Sequence, residues 1–202
     1  SNAARASQTF EGLTAISASS AVSGEKLLAS VKGLTKNQLS LVEAAEQINL
    51  SLSAGFNTQQ IEGLSVVALK ASRALGRDLG DAFTRVVRGS AKLETELLDE
   101  LGIYTKIEPA TKAYAAALGV SASSLTEFQR RQAFVNNVIS EGQRKFSSIN
   151  TTIPTSAQKI EAFGKTILDI ITKVGIFITD KLAPLADFLS NVQNQMQMQM
   201  SG

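Results

Sequence analysis

The chain has 202 residues, which is enough for one hydrophobic core with or without an appendage. Its aromatic fraction of 5%, with no Trp and 3 Pro, favours helices over a sheet sandwich. A formal net charge of +2 does not mark a nucleic-acid or membrane binder, and the lack of Cys and His excludes disulfides, thiolate chemistry and the commonest general base. The composition therefore predicts an all-α protein without a catalytic constellation.

The chain is predicted to divide into five parts of unequal size. Ser1, Asn2 and Ala3 are typical of an expression-tag remnant, so we expect the chain to be a piece of a larger protein. Residues 4–150 are predicted to form a compact helical domain, 151–157 a linker, 158–195 a long C-terminal helix, and 196–202 a disordered tail. The predicted fold is an irregular multi-helix bundle of short helices with a longer C-terminal helix.

The first 55 residues carry weak helical patterns and then a stronger one. Two short apolar stripes are punctuated by Gly24 and Gly33. The run Thr-Lys-Asn-Gln at 35–38 matches a capping box, which predicts that a helix begins at Thr35. We expect Gly55 to end that helix.

Residues 57–103 predict three short helices separated by glycines. Gly76 is expected to end the first in the left-handed conformation, and Asp78 to cap the second. Gly89 is expected to stop the second helix, and Ser90 to cap a third that runs to Gly102. Each helix is too short to be stable alone, so the three must pack on one another or on their neighbours.

Two further helices are predicted before the linker. The first has Pro109 in its first turn and ends at Gly119, with a buried face formed by Tyr114, Ala117 and Leu118. The second is about 20 residues long, and its capping box is either the pair Ser124 and Glu127 or the pair Thr126 and Gln129. The predicted core consists of apolar residues from these patterns: Leu64, Ala68, Phe83, Val86, Leu97, Leu101, Phe128, Val135 and Ile139.

Charges are distributed unevenly around residue 93. Residues 70–92 hold six basic and two acidic side chains, whereas residues 94–108 hold five acidic and one basic. We expect these blocks to pair within the fold or between copies rather than to bind DNA. Glu96, Asp99 and Glu100 share one helical face and would bind a divalent metal only with further oxygen ligands, so we expect a solvated acidic face paired with Arg77, Arg85 or Arg88.

The predicted C-terminal helix carries a wide apolar stripe. Charged residues interrupt it, so no run approaches the length of a membrane span. The stripe is wider than one neighbour in a small bundle can cover, which predicts self-association or a helical partner. The candidate partner-binding residues are Phe163, Ile167, Ile171, Phe177 and Ile178.

Two blocks of sequence resemble a known family. They are KLETELLDELGI at 92–103 and SLTEFQRRQAFVNNVISEG at 124–142. Together they resemble tail tape measure proteins of long-tailed bacteriophages and prophages, and the resemblance spans roughly residues 35–189. Members of that family carry Pro within the first block, where this chain has Thr95, a departure at a helix start that leaves the implied role unchanged.

The resemblance implies a structural role in virion assembly. Tape measure proteins lie in the growing tail, template the tail tube and set its length. The implied partners are tail tube, tail-tip and tail assembly chaperone proteins, with self-association into a homo-oligomer and no sequence-specific nucleic acid. The implied location is the virion tail, after synthesis in the bacterial host cytoplasm. No cofactor, metal or catalytic residue is implied, and membrane contact is implied only for the full-length protein.

Two other function classes compete with this interpretation. A helical adhesion or membrane-translocation module of a toxin-delivery system could use the Ile-rich C-terminal stripe to enter a membrane. An enzyme ranks third: some tape measures carry cell-wall hydrolase domains, but the chain has no His, Cys or paired-acid pattern to support one. The repeated glycine stops predict that this part of the chain folds back on itself and docks other proteins, instead of forming an extended ruler.

Overall fold

The computed structural model describes residues 2–150, and this part of the chain is all-α, as the composition predicts. No strand occurs in it. The helices are α1 (Asn2–Ser19), α2 (Gly24–Leu34), α3 (Leu41–Ser53), α4 (Thr58–Leu75), α5 (Leu79–Lys92), α6 (Thr95–Asp99), α7 (Ile107–Leu118) and α8 (Glu127–Lys145), with a short 3-10 helix at Ala122–Ser124. The predicted linker, long C-terminal helix and tail lie outside the described residues.

The described residues belong to two compact units. Unit 1 contains residues 2–49 and unit 2 contains residues 50–150, so the division falls inside α3. These two units subdivide the range 4–150 that the sequence analysis treats as one domain.

In unit 1, α1 and α2 approach closely because both carry small residues at their contact. Gly24 at the start of α2 lies against Ser17 and Leu13 of α1, where a side chain would not fit. Arg5 of α1 forms an ion pair with Glu46 of α3, with 2.6 Å between Nε and Oε1. Most of α2 is buried, including one charged residue, Lys32, which is only 1% exposed.

The turn between α2 and α3 differs from its prediction. Thr35 does not begin a helix but follows the end of α2, and its hydroxyl donates to the carbonyl of Val31. Lys36 and Asn37 both adopt positive φ angles, and the Asn37 N–H donates to the Lys32 carbonyl. The capping box that opens α3 is formed by Ser40 and Glu43, whose side chains each accept the other residue's backbone N–H. Residues 35–43 thus contain two sequences that match a capping box, and only the second, formed by Ser40 and Glu43, begins a helix.

In unit 2, the predicted helix ends on either side of the α4–α5 turn are confirmed. Gly76 terminates α4 with φ of 62° and ψ of 31°, the left-handed conformation that glycine adopts without steric cost. The Asp78 side chain caps α5 by accepting the Asp81 N–H at 2.9 Å. Gly119 ends α7 as predicted, and of the two capping boxes predicted for α8 the structure contains the pair Thr126 and Gln129.

The predicted stop at Gly89 and cap at Ser90 are wrong. Helix α5 continues through both residues to Lys92, and Leu93 then adopts the left-handed conformation. Gly89 is used for packing: a Cβ there would lie 2.8 Å from Cγ of Leu98. Glycine is needed at position 89 because α6 approaches α5 closely there, and not because a helix ends there.

The predicted core is correct for its α4 and α5 members and partly wrong elsewhere. Leu64, Ala68, Phe83, Val86, Leu101 and Val135 are fully buried. Leu97 and Ile139 are only half-buried, because their helices turn the adjacent Leu98 and Val138 toward the core instead. Phe128 is exposed and lies in the first turn of α8. The buried face of α7 is Ala110, Thr111 and Ala115, and not the predicted Tyr114, Ala117 and Leu118.

Candidate partner-binding surface

Helix α8 is fixed against α4 by reciprocal glycine contacts. A Cβ on Gly142 of α8 would lie 2.5 Å from Cγ1 of Val67 on α4, which is far below an ordinary van der Waals distance. A Cβ on Gly63 of α4 would likewise lie 3.1 Å from two side-chain carbons of Ile139 on α8. Each helix therefore supplies a notch for a branched side chain of the other, and their relative position is closely specified.

A network of side-chain hydrogen bonds also joins α4 to α8. The Gln60 amide nitrogen donates to Oε1 of Gln132 at 2.7 Å and to Oδ1 of Asn136 at 2.8 Å. Its carbonyl oxygen accepts the Asn57 N–H at 3.0 Å as part of the capping box of α4. The amide of Gln132 in turn donates to the Gly55 carbonyl. Gln60 is buried with all these groups satisfied, so the network fixes the start of α4 against α8.

Helices α7 and α8 form a hairpin on the other side of α8. The Thr105 hydroxyl, just before α7, donates to Oδ1 of Asn137 in the middle of α8. Since the end of α7 must also reach the start of α8 through residues 119–126, α7 runs antiparallel to the first half of α8. Only small side chains of α7 are buried in this contact.

The closed end of this hairpin exposes three large apolar side chains. Leu118, the last residue of α7, is 50% exposed, Val120 is 47% exposed and Phe128 is 52% exposed. We call these three residues the hairpin tip. Burying such side chains against a partner is favourable by roughly 25 cal/mol for each Å² of apolar surface removed from water. The arrangement is suited to apolar contact and provides no group for proton transfer.

One residue of the hairpin tip is positioned by a glycine. The ring of Phe128 reaches to within 2.6 Å of the place where a Cβ on Gly55 would lie, and Gly55 has φ of 84°. The Phe128 side chain thus has one face on the backbone and the other in solvent. Arg131, one turn further along α8, pairs with the exposed Glu127 at 3.4 Å.

A charged cluster lies at the opposite part of unit 2, where α5 and α6 meet. Arg85 contacts Asp81 with 3.0 Å between Nε and Oδ1, and Glu100 with 2.5 Å between Nη1 and Oε2. Arg77 reaches Asp81 at 3.0 Å and Glu100 at 3.7 Å. The hydrogen bond that Arg85 donates to the Asp81 carboxylate, with a smaller contribution from Glu100, raises the pKa of Arg85. The predicted pairing of Glu100 with Arg77 and Arg85 is confirmed, and it makes this cluster structural.

The candidate partner-binding residues of the sequence analysis cannot be placed. Phe163, Ile167, Ile171, Phe177 and Ile178 all lie outside the described residues. Within residues 2–150, no group of three or more acidic side chains is arranged to hold a metal ion. No helix of that same range combines the length and the hydrophobicity needed to cross a bilayer.

Sequence reasoning missed the hairpin tip for a specific reason. Leu118 and Phe128 match the helical stripes of α7 and α8, so both are assigned to buried faces. Each lies within two residues of a helix end, where the neighbouring helix no longer covers the stripe. A large apolar residue at the terminus of a predicted helix is the signal that could have identified the tip.

No protein-family model matches the chain, and no solved structure matches it.

Proposed function

We propose that this chain is an assembly segment of a phage tail tape measure protein, made in the bacterial host cytoplasm and carried in the virion tail. Its role is to dock on other tail proteins while the tail tube is built to its set length. The proposal rests on the resemblance of residues 92–103 and 124–142 to that family, together with one structural observation about where these blocks lie.

That observation is the framework role of both blocks in unit 2. The first block supplies Leu98 to the Gly89 notch of α5 and Glu100 to the cluster with Arg85. The second supplies Gln132 and Asn136 to the Gln60 network and Gly142 to the contact with Val67. The resembling sequence thus coincides with the residues that hold unit 2 together, as expected if a shared fold underlies the resemblance.

The helix lengths support docking over measuring for this part of the chain. The longest described helix, α8, has 19 residues and is therefore about 28 Å long. Residues 2–150 are divided by turns into eight helices, so they do not form one continuous rod. The hairpin tip is the surface that we assign to docking, with tail-tip, tail tube or tail assembly chaperone proteins as partners.

Tail morphology in a lysogen that carries the parent gene tests the proposal. An in-frame deletion of residues 50–150 should abolish complete tails or change their length in negative-stain electron micrographs. A triple variant of the hairpin tip, Leu118→Ser with Val120→Ser and Phe128→Ser, should reduce complete tails several-fold. The matched control is Leu75→Ser, because Leu75 is also half-exposed (49%) in unit 2 but lies at the end of α4.

Normal tails in normal number from both the deletion and the triple variant would refute the proposal. Flotation with phosphatidylglycerol vesicles tests the competing membrane-translocation role. Quantitative co-flotation of the purified chain, lost on Ile171→Glu, would favour that role instead.

Self-association through the C-terminal stripe is a separate part of the proposal. A glutamate at Ile171 would place a charge in an apolar contact, so the Ile171→Glu variant should sediment as a smaller species than the parent chain at equal concentration. Velocity sedimentation across about a hundredfold concentration range measures this. A monomer at every concentration, for both proteins, would contradict it.

A further inference from the structure

The turn between α5 and α6 contains a leucine in a conformation that usually requires glycine. Leu93 has φ of 57° and ψ of 35°, and its N–H donates to the Gly89 carbonyl. The Glu94 N–H also donates to the Gly89 carbonyl, at 3.0 Å, which is the longer-range of the two hydrogen bonds of a Schellman helix end. In this motif the left-handed position is normally glycine, because a Cβ crowds the following carbonyl oxygen. The helix therefore ends here at a steric cost.

The sequence across this turn favours a helix that does not stop. Residues 91–101 read AKLETELLDEL, without glycine or proline and rich in the strongest helix formers. The local preference is thus for one helix over residues 79–101, whereas the fold breaks it after Lys92. A conflict between local preference and tertiary structure at one residue is the condition for two nearly balanced states.

Tertiary contacts of α6 hold the broken arrangement together. Leu98 is fully buried, and its Cγ lies 2.8 Å from the position that a Cβ on Gly89 would take. Glu100 forms the short ion pair with Arg85. Helix α6 has only five residues, so it cannot persist without these contacts.

We propose that Leu93 is the hinge of a conformational switch in unit 2. In the closed state, which is the one described above, α6 folds back on α5. In the open state Leu93 takes helical angles and residues 79–101 form a single helix of 23 residues, about 34 Å long. Opening also withdraws the buried Ile103 and breaks the hydrogen bond from Thr105 to Asn137, because residues 102–106 connect α6 to α7.

The open state changes what unit 2 presents to a partner. Leu98 and Leu101, both fully buried in the closed state, leave their contacts and join the half-buried Leu97 on one stripe of the long helix. A helical partner that binds this stripe binds the open state alone and so shifts the population toward it. The switch is a property of the fold and does not depend on the proposed function.

A distance measurement between two spin labels tests the hinge directly. The chain has no cysteine, so Leu75→Cys and Asp99→Cys give two unique labelling sites, both exposed. In the closed state these sites are near, because Arg77 and Glu100 approach to 3.7 Å. In the open state residue 99 lies about 30 Å along the helix from residue 79, so double electron–electron resonance should resolve a separate long distance.

Three protein variants separate opening from unfolding. Leu98→Ala weakens the closed state and should raise the long-distance population on the order of tenfold, with increased helicity in far-ultraviolet circular dichroism. Leu97→Ala is the matched control and should leave the distribution as in the parent. Leu93→Gly removes the steric cost, and combined with Leu98→Ala it should return the population toward the short distance by about tenfold.

The outcomes are decisive in both directions. A discrete long distance in Leu98→Ala that Leu93→Gly suppresses establishes the hinge. A distribution that stays short in Leu98→Ala overturns it. A broad distribution with decreased helicity, unaffected by Leu93→Gly, also overturns it, because it shows that α6 melts instead of merging with α5.

Discussion

The two sides of α8 are packed in different ways, and the difference separates structure from docking. Toward α4, glycines at Gly63 and Gly142 admit branched side chains, and Gln60 satisfies two partners on α8. Toward α7, the contact buries small residues only, and the end of α7 leaves Leu118 half in solvent. We call these the packed side and the open side. On the packed side an added side-chain atom would clash, whereas the open side exposes apolar surface to solvent.

The largest expected difference is between a buried and an exposed phenylalanine of unit 2. Phe83→Ala, in α5, removes a fully buried ring and should lower the free energy of unfolding by about 3 to 5 kcal/mol. Phe128→Ala, at the start of α8, removes the same ring where it is 52% exposed and should cost less than about 1 kcal/mol. Urea titration measures both. A loss below about 1 kcal/mol for Phe83→Ala would show that the ring is not in the core.

Adding volume to the packed side should be the next largest effect. Gly142→Ala places a methyl group 2.5 Å from Val67, so α8 must shift away from α4 at a cost of about 1 to 3 kcal/mol. The helix preference of alanine opposes this by at most about 1 kcal/mol. Thermal denaturation of Gly142→Ala, Val67→Ala and the double variant measures the coupling. Strictly additive effects would mean that the two residues do not limit each other.

In unit 1 the buried part of α2 contains a charged residue, Lys32, which makes the free energy of unfolding depend on pH. Burial lowers the pKa of Lys32 to about 8, although Glu43 acts in the opposite direction. Its ammonium donates to the carbonyls of Leu39 and Asn37 in the α2–α3 turn. Between pH 8 and the ordinary lysine value of 10.5, the unfolded chain binds a proton that the folded chain does not, so unfolding becomes harder as pH rises.

The free energy of unfolding is expected to rise by about 1 to 3 kcal/mol across that interval. Below pH 7 Lys32 is protonated in both states and adds no pH dependence. Urea titrations at pH 7 and pH 10 measure it. Lys32→Met is the control. It should remove the part of the change in unfolding free energy between pH 7 and pH 10 that Lys32 causes, and leave the part caused by other groups. An identical pH dependence in both proteins would count against a depressed pKa at Lys32.

The smallest expected change in stability is that of a substitution on the open side of α8. Leu118→Ser should change the free energy of unfolding by no more than about 0.5 kcal/mol, because the side chain is half in solvent. It should still weaken docking of a purified tail-tip protein, measured by biolayer interferometry, relative to the Leu75→Ser control. Equal docking by both variants would remove Leu118 from the proposed surface.

Local chemistry made much of the fold predictable from the sequence. The predictions for Gly76, Asp78 and Gly119 are correct because a left-handed cap or a side-chain cap is decided within four residues. The same local rule leaves two capping boxes open for α8, of which Thr126 with Gln129 is the one present. The all-α class followed from composition and periodicity in the same way.

The errors arose where distant contacts decide the outcome. Gly89 has the local appearance of a helix stop, but its role depends on Leu98, nine residues away in the next helix. Thr35 matches a capping box, but α2 runs up to it and the turn is held instead by Lys32 reaching Leu39. The exposure of Phe128 depends on how little of its ring the backbone at Gly55 covers. No pattern within one helix contains this information.

The Gln60 side chain also constrains the order in which unit 2 can fold. Its amide reaches residues that follow it by 72 and 76 positions, while its carbonyl completes the first turn of its own helix. The local capping box can form as soon as residues 57–60 are made, but the amide finds its partners only after α8 has been synthesised. Such dependence on distant sequence slows folding compared with a bundle of sequential helix pairs. It also makes the arrival of α8 the event that turns the early helices of unit 2 into a single cooperative structure.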